Sequence, residues 1–277
     1  MSDFEPSKTQ VYEIIGRERP GRWVISCDHA SNDVPQEIGG GSLGLSETEM
    51  GRHIAYDLGA AGVTRALADG LGAPAVLSRF SRLVIDPNRG EDDPTLVMKL
   101  YDGTIVPGNR HLDAAGLERR LARYYRPYHA ALAKILSERP DPVLVAVHSF
   151  TPKLVGRRLR PWQIGILHAE DARLAGPFIT LLRNDRSFGA WVAETSGTPL
   201  CVGENEPYAG HLPGDAIDRH ALREGRMNLL IELRHDLIAT PEQQTAWGDR
   251  LADLLARALQ DAPSSLPTDR AAGTAAQ

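Results

Sequence analysis

A chain of 277 residues with 42% hydrophobic and 24% charged side chains has the composition of a soluble globular protein with a sizeable core. A net charge of −5 and a pI near 6.0 offer no broad basic surface to nucleic acid or an anionic membrane. No apolar run approaches the roughly 20 residues of a membrane span. The N-terminus lacks the basic start and apolar centre of a signal peptide. The two cysteines, Cys27 and Cys201, need not pair, so a reduced, cytoplasmic protein is expected.

Residues 1–10 are expected to be a flexible leader, residues 11–261 one α/β domain, and residues 262–277, rich in Ala, Pro, Ser and Thr, a disordered tail. Trp23-Val24-Ile25-Ser26-Cys27 reads as a buried strand that stops at Asp28-His29, where loop chemistry takes over through Ser31, Asn32, Asp33 and Pro35. A histidine delivered by a strand end sits where open α/β sheets place their ligands. Ser46 and Glu49 form a capping-box pattern, and Met50, Ile54, Leu58 and Ala61 continue a helical stripe to about Leu71. Ala75–Ser78 is the next strand. Within Arg79–Arg89, the run Leu83-Val84-Ile85 reads as a strand core flanked by Arg82, Asn88 and Arg89. Such a bracket suits a carboxylate or phosphate, because guanidinium forks pair with these groups bidentately.

Leu112 to about Glu138 is a long helical stretch whose apolar side includes Tyr124, Tyr125 and Tyr128, read as packing residues; Pro127 kinks it or splits it in two. Val143–Val147 is a central strand ending at His148, and Gln163–His168 is another. Ala172–Arg183 reads as a helix. The segment Gly203–Gly210 is a polar loop with dense functionality. Asn228–Ile238 is the last strand, and in it Glu232 stands among Leu230, Ile231 and Leu233. A carboxylate there is costly unless a charge or metal partners it. Thr240-Pro241-Glu242 caps a C-terminal helix through Leu259. The alternation of strands and helices predicts a three-layer α/β sandwich around a mostly parallel or mixed central sheet.

In such a sheet His29 and His148 converge at the carboxyl ends of neighbouring strands. Two imidazoles, one oxygen ligand and a water make a catalytic zinc site. Glu232 is placed to carry the water's proton, and Arg82, Asn88 and Arg89 to hold substrate carboxylates.

Five segments, Asp28–Pro35, Ser81–Arg89, His148–Phe150, Asn205–Gly210 and Ile231–Ile238, together resemble the N-formylglutamate amidohydrolase family, in family order and over about Trp23 to Leu259. The resemblance implies a fold similar to zinc carboxypeptidases and aspartoacylases. It also implies zinc-dependent hydrolysis of an N-formyl or N-acyl amide of an acidic amino acid, such as N-formyl-L-glutamate to formate and glutamate in histidine breakdown. By that resemblance His29 and His148 are zinc ligands, Glu232 is the general base, and Arg82, Asn88 and Arg89 grip the substrate. Asn32 stands where carboxypeptidases carry a third, acidic ligand; its amide oxygen is a weaker, neutral donor, with Asp28 as the alternative. Glu206, Tyr208 and His220 match family stretches as further substrate contacts. Two other readings remain open: a zinc carboxypeptidase or peptidoglycan amidase-like hydrolase, and a metal-free protein that binds dicarboxylates.

Overall fold

The computed structural model describes residues 11–263. The expected leader, and the tail beyond residue 263, lie outside them. In chain order the strands are β1 (Tyr12–Ile15), β2 (Trp23–Cys27), β3 (Ala75–Ser78), β4 (Leu100–Tyr101), β5 (Thr104–Ile105), β6 (Val143–Phe150), β7 (Ile164–Leu167), β8 (Val202–Glu204) and β9 (Asn228–Arg234). The helices are α1 (Glu47–Met50), α2 (Ala60–Gly70), α3 (Ala114–Arg120), α4 (Arg126–Ser137), α5 (Ala175–Asn184), α6 (Arg186–Ser196), α7 (Ala216–His220) and α8 (Pro241–Asp261).

Seven strands form one mixed sheet in the order β1-β3-β2-β6-β9-β7-β8, and β4 and β5 form a separate hairpin. The core strands β3, β2, β6 and β9 run parallel, while β1 and β7 pair antiparallel to their neighbours β3 and β9. Strands β2, β6 and β9 are buried along their whole length, which is why they read as near-continuous apolar runs. Period-2 alternation then sorts their side chains between two cores. Ile25, Val145 and Ile231 face α2, α5, α6 and α8; Val24, Leu144 and Leu230 face the tyrosine-bearing helix and α7. The three-layer α/β architecture expected from the pattern is present. Helices α2 and α8 approach closely where a Cβ on Gly248 would stand 2.4 Å from that of Ala66.

Three local readings change. The stripe expected to run as one helix to Leu71 breaks into α1, a turn segment and α2. Tertiary hydrogen bonds claim the backbone in between: Asp57 N–H donates to His29 O, and the carbonyls of Ala55 and Leu58 accept from Ser81 Oγ and Ser149 Oγ. Gly59, at φ 78°, then restarts the helix from a left-handed conformation. The run Leu83-Val84-Ile85 is fully buried but is not a strand. Its carbonyls are satisfied by side chains instead, Asn109 Nδ2 donating to Leu83 O and Arg120 Nη1 to Val84 O. The long helix is continuous from α3 to α4 through a π-helical turn, Leu121–Tyr125, with Pro127 in the first turn of α4, where its missing N–H is tolerated. The capping boxes at Ser46 and Thr240 form as expected, and Cys27 and Cys201 are both free thiols.

Candidate active site

His29 follows β2 by two residues, and His148 lies within β6, one strand away. In the parallel β6–β9 pair His148 is the direct partner of Glu232. Both therefore project from the sheet face that carries Leu144, Ala146 and Leu230, near its carboxyl end. On the other side of Glu232 its partner is Gly165, where a Cβ would lie 2.0 Å from Glu206 O, so only glycine fits that approach.

The imidazoles of His29 and His148 meet edge to face, 4.9 Å between centroids. Each ring has a carboxylate at both nitrogens. His29 Nε2 donates to Asp86 Oδ1 at 2.6 Å, and His148 Nε2 to Asp28 Oδ2 at 3.1 Å. Both Nδ1 atoms converge on a third carboxylate: Asp57 Oδ2 lies 3.2 Å from His29 Nδ1 and 2.8 Å from His148 Nδ1. One donor atom each from His29, Asp57 and His148 fall within 4.8 Å of one another, all buried. Asp57 Oδ2 also accepts from Ser149 N–H, and Arg82 Nη1 reaches Asp57 Oδ1 at 3.4 Å.

This donor set fits a divalent cation. When Asp86 and Asp28 take the Nε2 protons, each neutral imidazole turns an Nδ1 lone pair toward the Asp57 oxygen. Three electron-rich atoms facing one another are stable only with positive charge among them, supplied by extra protons or a metal. Without a cation, protons take that place. Burial alone would lower the His148 pKa, but its bonds to Asp28 and Asp57 hold it well above the ordinary range. Burial would raise Asp57, and His29 and His148 instead hold it far below the usual carboxylate range. Two nitrogens and one carboxylate oxygen are also the ligand types of a catalytic zinc site with an open position.

The cluster and Glu232 line a cavity of about 290 Å³. Glu232 Oε2 is buried without a hydrogen-bond partner among the described residues. Burial, with the negative charge of Asp57 adding to it, pushes the Glu232 carboxyl up to about 8.

The remaining sequence-predicted residues divide. Arg82 lines the cavity, but its guanidinium is spent inside the protein: Nε and Nη2 donate to Asp86 Oδ2 and Nη1 to Asp57 Oδ1. Its place is therefore to brace two carboxylates rather than to meet an incoming one. Arg89 also lines the cavity, held through Nε by Thr95 and through Nη1 by Asn88 O. Asn88 lies on the same wall and accepts from Ala216 N–H. Tyr208 is 39% exposed at the cavity rim, its hydroxyl bonded to Arg160 Nη1. Asn32 is absent from the cavity wall; its amide donates to Met50 O at 2.9 Å. Asp28 is a partner of His148 rather than a member of the converging donor set. Glu206 is exposed and lies off the cavity wall.

His220 also lies away from the cavity wall, buried and stacked on His129 with 2.9 Å between His220 Nε2 and His129 Nδ1. Burial pushes His220 down to about 4, so it is neutral in the folded protein. Between its ordinary value of 6.5 and about 4 the unfolded chain binds more protons, and stability falls as pH falls. His220→Gln is expected to reduce that slope by up to about one proton, read from denaturant unfolding across the window. An unchanged slope would exclude His220 as its source.

Asp57 is the site residue the sequence reading passed over. Its signal was present: at helical spacing it falls between Ile54 and Ala61, an acid on an apolar face. The tyrosines read as packing residues are indeed buried, and two of them also brace the site. Tyr128 donates to Asp28 Oδ1 and Tyr125 to Arg89 O, both at 2.6 Å.

Fold and site together define an α/β protein with a buried His–Asp–His candidate metal centre and an adjacent glutamate that is unpaired among the described residues. The N-formylglutamate amidohydrolase family model matches residues 21–239, and the chain belongs to that family. It is similar to the crystal structure of gene product Atu2144 from Agrobacterium tumefaciens, with 34% identity and a TM-score of 0.81, covering 92% of this chain and 96% of that one. It also shares its fold with an N-formylglutamate amidohydrolase from Ralstonia eutropha JMP134, at 22% identity and a TM-score of 0.56, covering 89% of this chain and 98% of that one. No curated protein matches the chain significantly.

Proposed function

We propose that this chain is a zinc amidohydrolase that cleaves the N-formyl amide of an acidic amino acid, N-formyl-L-glutamate first among them, to formate and the free amino acid. The observation that carries the reading is the convergence of His29 Nδ1, His148 Nδ1 and Asp57 on the wall of the cavity that holds Glu232. Zinc held by these three residues would polarise the formyl carbonyl and acidify a water molecule.

The protein's own groups supply the rest. Glu232 accepts a proton from the attacking water and returns it to the amide nitrogen as the C–N bond breaks, so that one water is consumed and the amine leaves neutral. A carboxyl group with no hydrogen-bond partner on Oε2 among the described residues is free to make both transfers. Asp28 and Asp86 fix the imidazole tautomers, and Arg82 keeps Asp57 and Asp86 charged. Arg89, with Asn88 beside it, holds a substrate carboxylate.

A small-molecule N-acyl amino acid is the partner this cavity fits. Among the described residues no helix is long and apolar enough to cross a membrane. Histidine breakdown in the cytoplasm is the setting that goes with this substrate. The alternative, a metal-free protein that holds a dicarboxylate with Arg82, Asn88 and Arg89, gained weight from the neutral donor Asn32; the acidic Asp57 in the converging set favours the metal reading instead. The test is zinc content of the purified protein together with formate release from N-formyl-L-glutamate, with and without a chelator. Near-stoichiometric zinc and chelator-sensitive formate release are expected. Release of C-terminal residues from peptides in place of formate would overturn the reading in favour of a carboxypeptidase.

A further inference from the structure

N-formylglutamate carries two carboxylates, and of the two arginines considered from sequence only Arg89 keeps capacity for one. Arg82 is neutralised by Asp57 and Asp86. A third guanidinium stands at the cavity rim. Arg160 comes from the β6–β7 connection and lies against two rings that line the cavity, 5.6 Å from the Phe150 centroid and 5.0 Å from that of Tyr208. Its Nη1 donates to Thr151 O at 3.1 Å and to Tyr208 Oη at 3.2 Å. Its Nε and Nη2 make no hydrogen bond, and no carboxylate lies within ion-pair distance of it, among the described residues. That leaves open the edge with which arginine grips a carboxylate through two parallel bonds. Contact with two aromatic rings restricts the guanidinium, so less side-chain freedom is lost when the fork is used. Its charge also reaches Glu232.

Resting on the amidohydrolase reading, we propose that Arg160 is a specificity-determining residue that takes the second carboxylate of the substrate, so that Arg89 and Arg160 divide the two between them. Arg89 and Arg160 then flank the reacting amide, and the enzyme selects dicarboxylic over monocarboxylic N-formyl compounds.

The experiment compares kcat/KM for N-formyl-L-glutamate and its two mono-amides, N-formylglutamine and N-formylisoglutamine. The zinc-loaded wild-type protein is expected to favour the diacid over each by on the order of 10- to 100-fold. Arg160→Gln is expected to abolish one of these preferences, mainly through KM, and Arg89→Ala the other. Arg160→Lys should restore part of the lost preference, since it keeps the charge but not the planar fork. Undiminished turnover of the mono-amide whose lost carboxylate Arg160 would have held shows that the Arg160→Gln protein is folded. Both preferences surviving in Arg160→Gln, or an equal loss on all three compounds, would overturn the inference while leaving the amidohydrolase reading intact. So would loss of the same preference as in Arg89→Ala. If wild type releases formate from none of the three, the amidohydrolase reading falls and this inference with it.

Discussion

Glu232→Gln is expected to leave zinc content unchanged and to lower kcat for formate release by roughly 10²–10⁴-fold or more. The substitution is nearly isosteric, so it opens no cavity in β9 and keeps the register that places position 232 beside His148. What it removes is the capacity to hold and return a proton. The variant also separates chemistry from folding. In the metal-free protein Glu232 has a pKa raised from 4.5 to about 8, so the folded state binds more protons than the unfolded chain across that interval. Stability therefore falls as pH rises from about 4.5 toward 8. The glutamine carries no such burden, and metal-free Glu232→Gln should be at least as stable as metal-free wild type at pH 8. Formate release at the wild-type rate, or loss of zinc from the variant, would remove Glu232 from the proposed role.

Asp57→Asn is expected to weaken zinc binding by more than the roughly 10- to 100-fold that loss of an outer hydrogen-bond partner costs, whereas Asn32→Ala should leave it unchanged. The asparagine keeps the shape of Asp57 but loses the charge that balances a dication between two imidazoles. It also leaves Arg82 with one carboxylate instead of two. Asp28→Asn is the intermediate case, because Asp28 touches His148 through Nε2 rather than the converging donor set. Elemental analysis after dialysis against graded chelator ranks the three. Zinc lost with Asn32→Ala but retained by Asp57→Asn would reverse the assignment of the third ligand.

The particular residues explain how far reading the chain could go. His29 and His148 stood out because each interrupts an apolar run at the end of a strand, and Glu232 because it interrupts one in the middle. Burial in a sheet is written locally, in consecutive residues, so these anomalies needed no partner to be noticed. Arg82 was found as a charge beside an apolar run, and its guanidinium bonds are made inside the protein. A residue type is visible in sequence, but which groups occupy it is not: Asp86 lies four positions away and Asp57 twenty-five. His220 met an equivalent fate, since its partner His129 lies 91 positions away on α4.

Local order along the chain was enough to determine the layered α/β fold, the capped helices and three residues of the candidate site. Periodicity and burial are short-range properties, and they agree with the tertiary structure wherever an element lies in the sheet or flanks it. Tertiary structure alone decided that the helical stripe after Ser46 would break, because hydrogen bonds to His29 O and from Ser81 and Ser149 compete for its backbone. That break swings Asp57 from a helix face to a point between two imidazoles. The same long-range pairing of charges decided which arginines are already neutralised and which remain open to a substrate.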